Sequence, residues 1–144
     1  MDNLDWVSEF FGVHQNQISR IFQAGGCREL WLQGQIFLYL EQDGLQTNAT
    51  KNKFDLYQKG AFVCEIKVLG GNFQAKVKSG LRSDFDKLAS KEMLEDKYVM
   101  LVLDKQAGTG TQLYKSLSLF EHGAGSRVLE QDFSTFSVTV WHVL

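Results

Sequence analysis

Six consecutive apolar residues, Tyr98-Val-Met-Leu-Val-Leu103, constrain this chain more than any other feature. The run is far short of the roughly 18 residues that span a bilayer, and has no polar position to face water. It predicts a strand covered on both faces, which requires helices on either side of a sheet. Helical spacing occurs where that demands it. Trp6, Phe10, Phe11, Ile18, Ile21 and Phe22 predict one or two helices, broken near Gly12 and stopped by Gly25-Gly26. A second helix is expected over 27–42, with Leu30, Gly34, Phe37 and Leu38 as its apolar stripe and Gly44 as its stop. Further helices are expected over 81–90 and 112–120. The period switches to two over 53–58 and 61–69, a hairpin turning at Lys59-Gly60, and again over the strand 136–143. Residues 107–111 and 123–126 read as glycine-containing turns. With 144 residues and no proline there is room for one domain and no Pro-rich linker. The expectation is a single α/β domain over 1–144, its mixed central sheet flanked by helices.

The hairpin holds the chemistry. In a strand, alternate residues share a face, so Phe62, Cys64, Ile66 and Val68 point to a core while Val63, Glu65 and Lys67 point the other way. A turn at 59–61 makes paired positions sum to 120, which sets Asp55 across from Glu65. Opposed carboxylates repel. A divalent cation would compensate, and hard oxygen donors suit Mg²⁺ or Mn²⁺.

Asp55, nine intervening residues and then Glu65-Ile66-Lys67 on a hairpin, with a helix before and a helix and strand after, resemble the PD-(D/E)XK nuclease superfamily. The resemblance covers residues 27–103. It implies a restriction-endonuclease-like core of helix, three-strand meander, helix and strand, with 1–26 as a helical extension and 104–144 as an added helix and strand. It implies that Asp55 and Glu65 hold the metal, that Lys67 orients or deprotonates the attacking water, and that Glu29 is the acid of the preceding helix. Gln74 falls where a substrate contact is expected. Phe54 stands where the motif has proline. The bare pattern recurs at Asp86 and Glu95-Asp96-Lys97, on a helix end and turn where the acids do not share a strand face.

Charge placement bears on the substrate. The whole chain carries −2. Residues 51–82 hold seven bases against two acids, a local +5, and the remainder eight bases against fifteen acids, −7. Lys76 and Lys78 lie in the basic segment and are expected to meet backbone phosphates. The function the resemblance implies is Mg²⁺-dependent hydrolysis of DNA phosphodiesters, which the local positive charge permits. The alternative is a catalytically inactive member of the same fold serving as a protein-interaction or regulatory subunit, for which the acidic remainder is suited. A homodimer would supply two cleavage centres for duplex DNA. Acids near the N-terminus, without a basic region and apolar run, predict a cytoplasmic protein with no membrane segment. Cys27 and Cys64 form no CxxC and read as buried free thiols; His14, His122 and His142 have no zinc spacing; no GxSxG elbow appears.

Overall fold

A computed structural model of the protein describes residues 3–24, 28–47, 54–69, 75–108 and 111–144. Its centre is one five-stranded mixed sheet, ordered β1-β2-β3-β5-β4. The strands are β1 (Leu56–Gln58), β2 (Phe62–Leu69), β3 (Asp96–Asp104), β4 (Gly125–Asp132) and β5 (Phe136–Val143). β2 and β3 run parallel, joined by helix α3 (Ala75–Ala89) as a crossover; every other neighbouring pair is antiparallel.

Two cores follow from strand alternation. On one face, helices α1 (Asp5–Ala24) and α2 (Arg28–Leu40) cover Phe62, Cys64, Ile66, Met100, Val102 and Val138. On the other, α3 and α5 (Gln112–Ser118) cover Val63, Val99, Leu101, Leu103 and Trp141. Val99 to Val102 are fully or almost fully buried from both sides, as the continuous apolar run predicts. A four-residue helix, α4 (Lys105–Gly108), follows β3 in the stretch expected to be loop. Among the described residues no helix is long and apolar enough to cross a membrane.

The hairpin register is the expected one: Leu56 pairs with Cys64, Tyr57 with Val63 and Gln58 with Phe62. Its turn is closed by Ala61 N–H donating to Gln58 O at 3.0 Å, with Gly60 at φ +76°, a left-handed conformation natural to glycine. The expected three-strand meander is shorter. Gln46 joins Tyr57 through a single antiparallel bridge, and residues 48–53 lie outside the described residues.

Four sequence expectations are corrected. α1 is continuous through Gly12, because Val7, Phe10, Phe11, Ile18 and Phe22 bury one face along its whole length. A mid-helix glycine costs only about 1 kcal/mol relative to alanine, which that burial exceeds. α2 buries Leu32, Gln33, Ile36 and Leu40 instead of the stripe through Leu30 and Leu38, which are 62% and 58% exposed. The helix is apolar enough to offer two stripes, and the one chosen places Glu29 toward β2. α3 begins six residues before Leu81, in a polar turn that carries little apolar periodicity. β4 is a strand where none is expected: its sequence is mostly polar, as an edge strand with an alternating half-buried face permits.

Candidate active site

Glu65 and Lys67 lie on the β2 face that α3 covers, so their polar ends are enclosed between strand and helix. Glu65 is 4% exposed, rare for a carboxylate. Asp55 lies one residue before β1, level with Glu65 by register, and its Oδ2 accepts a hydrogen bond from Ile66 N–H at 2.7 Å. Glu29, in the first turn of α2, reaches the same region from the far end of the strand. Its Oε2 accepts a long bond from Val68 N–H at 3.4 Å. Asp55, Glu65, Lys67 and Glu29 are thus brought together, and each acts electrostatically on at least one other.

Two further residues belong to the cluster, both from α3. Lys87 Nζ contacts Glu65 Oε1 at 2.5 Å, and Lys67 Nζ contacts Asp84 Oδ2 at 3.4 Å. The strand acid pairs with the helix base, and the strand base with the helix acid. Asp84 and Lys87 border the buried stripe Leu81, Phe85 and Leu88. Their signal in the sequence is a charge of each sign at the seam of an apolar helix face. Phe54, at the motif's proline position, is buried and carries Lys87 Nζ 5.0 Å from its ring centroid.

The charges do not balance. Four carboxylates, Glu29, Asp55, Glu65 and Asp84, face two lysines. Burial, with repulsion from Asp55, raises the Glu65 carboxyl to about 8, against the opposing pull of Lys87. Burial also raises Glu29 and Asp84 above the usual carboxylate range, Lys67 partly opposing it in both. For Lys67 itself burial favours the neutral amine, but Asp84, Glu29 and Asp55 outweigh it and hold the ammonium. Asp84 Oδ2 is buried, with the Lys67 ammonium 3.4 Å away.

An oxygen-only donor set with surplus negative charge has the chemistry of a Mg²⁺ or Mn²⁺ site. Mg²⁺ is commonly held by one or two carboxylates, with water and substrate phosphate completing its octahedron. Among the described residues no group of three or more His, Cys, Asp or Glu side chains is arranged to hold a metal ion. Asp55 and Glu65 are the two carboxylates that would hold such an ion.

The remaining expected site residues are placed differently. Lys78 donates from Nζ to Ser116 Oγ of α5 at 2.6 Å. Lys76 is on α3, its side chain outside the described residues, and Gln74 lies outside them altogether. Cys64 is a buried free thiol; Cys27 is outside the described residues. The second motif match disperses: Asp86 pairs with His122, Glu95 accepts from Gly60 N–H and Asp96 from Asn3. No family model, curated protein or solved structure matches the chain.

Proposed function

We propose that the protein is a metal-dependent nuclease that hydrolyses DNA phosphodiester bonds at the cluster of Asp55, Glu65, Lys67 and Glu29, on a restriction-endonuclease-like core. One observation carries the reading: four carboxyl groups and two lysines converge at one place, an excess of acidic over basic groups that a divalent cation would offset. Asp55 and Glu65 would hold Mg²⁺ or Mn²⁺, which when bound neutralises charge on the phosphate and makes water a better nucleophile. Lys67, held as the ammonium by its acidic neighbours, serves as a clamp on a non-bridging phosphate oxygen. Glu29, whose burial raises its proton affinity, is suited to accept the proton of the attacking water. The water oxygen bonds to phosphorus as the bond to the departing sugar oxygen breaks, and that oxygen takes up a proton from solvent. Arg82 on α3 and Lys59 at the hairpin turn are exposed cations of the kind that neutralises flanking phosphates.

The test compares Mg²⁺- or Mn²⁺-dependent cleavage of plasmid and single-stranded DNA by the wild type and Asp55→Asn. Truncating Asp55 would relieve its repulsion with Glu65 but would also strand Ile66 N–H, which it satisfies. Asparagine keeps that acceptor and removes the charge. Cleavage by the wild type and a loss of about a hundredfold or more in D55N are expected. Equal cleavage by both would remove Asp55 from the chemistry.

The interaction-subunit reading is favoured by a different observation: each lysine of the cluster is already ion-paired, as in a purely structural network. A wild type that binds Mg²⁺ but cleaves neither DNA form would select it.

A further inference from the structure

We propose that Lys87 is an internal counter-ion occupying the place of the divalent cation on Glu65, so that the cation binds only as Lys87 leaves and α3 sets the metal affinity of the site. The inference rests on the metal-site reading above and adds a regulator to it.

Three features of the geometry carry it. Lys87 Nζ sits 2.5 Å from Glu65 Oε1, on an oxygen the cation would need. The two partners are unequally free: the Lys87 side chain is 33% exposed and that of Glu65 6%, so the lysine can withdraw toward water while the carboxylate stays. The lysine also rests over the Phe54 ring at 5.0 Å, an aromatic face that favours an ammonium without drawing on the carboxylate. Lys67 differs in its partner. It pairs with Asp84, lies within reach of Glu29 and Asp55, and stays in place to meet phosphate. The charged groups acting on this corner are Asp55 before β1, Glu65 and Lys67 on β2 and Asp84 on α3 itself. Acids outnumber the one remaining base, so the site keeps an excess of acidic groups whenever Lys87 departs.

Removing the competing charge should tighten metal binding. Isothermal titration of Mg²⁺ or Mn²⁺ into wild type, Lys87→Met and Lys87→Arg, with D55N as the site control, measures this without any catalytic readout. K87M is expected to bind about tenfold more tightly than wild type, K87R to stay near wild type, and D55N to lose binding. K87M should also unfold at lower temperature than wild type without the cation and recover more when Mg²⁺ is added. A purely structural lysine would lower stability without tightening binding. If K87M binds no more tightly than wild type, Lys87 is not a competitor and the metal site stands without it. If neither binds Mg²⁺ or Mn²⁺ while both are folded, the metal-site reading falls and this inference with it.

Should K87M fail to fold, the wild type supplies the same decision. Release of Lys87 predicts that its side-chain resonances move toward those of free lysine as Mg²⁺ saturates the site. Unmoved Lys87 resonances at saturation would overturn the proposal.

Discussion

Glu65 is where folding and chemistry pull in opposite directions. Its ordinary pKa is 4.5, but burial and then Asp55 raise it to about 8 in the folded protein. The folded state therefore binds this proton more tightly than the unfolded chain. That contribution to stability is fully present below about pH 4.5 and is lost as the pH rises through about 8. Glu29 and Asp84, also raised, act in the same direction. Replacing Glu65 by glutamine keeps the shape and removes the charge. E65Q is expected to match wild type near pH 4 and to exceed it by roughly 2–6 °C in Tm at pH 9, read from thermal unfolding across pH. Equal Tm values at pH 9 would show that Lys87 fully compensates the buried charge. The pair Asp55 and Glu65 is legible in the sequence alone, because hairpin register is simple arithmetic. Asp84 and Lys87 are not, because their contact needs the rotation of α3 against β2, which tertiary packing decides.

Among the elements, those with a single dominant pattern are legible in the sequence and those with competing patterns are not. β3 and β5 have one reading each, and β5 has the expected ends. α2 carries two apolar stripes, and the choice between them depends on what α1 and β2 present. β4 is a polar edge strand whose position comes from its neighbour β5, with a register shift between Arg127 and Leu129. Its first residue shows what that docking demands. A Cβ on Gly125 would lie 2.6 Å from Phe85 Cε1, and the Phe85 ring is itself packed against His122 and Trp141. Gly125→Ala is thus expected to destabilise by about 1–3 kcal/mol, read from chemical denaturation, through forced movement of that ring. Unchanged stability would mean that the β4 end yields freely. In sequence the stretch 123–126 reads as a flexible turn; its glycine is required by a close approach, which sequence does not display.

At the scale of the molecule, the net charge of −2 conceals a basic segment over 51–82. If that segment meets DNA, affinity should fall steeply with salt. Replacing both Lys78 and Arg82 by alanine is expected to weaken binding across sequences and to flatten the slope of log K against log salt by about 2, since each phosphate contact contributes about 1. A slope unaltered by that change would place the phosphate contacts elsewhere. On the proposed reading, parts distant in sequence, before β1, on β2 and on two helices, assemble one divalent-cation site. Titrating Mn²⁺ while following backbone amide resonances tests this most directly, because the paramagnetic ion broadens signals near its own position. Broadening centred on Asp55 and on residues 65–67 of β2, lost in D55N, is the expected result. A folded protein that shows no broadening there, or shows it instead around Glu95 and Asp96, would contradict it.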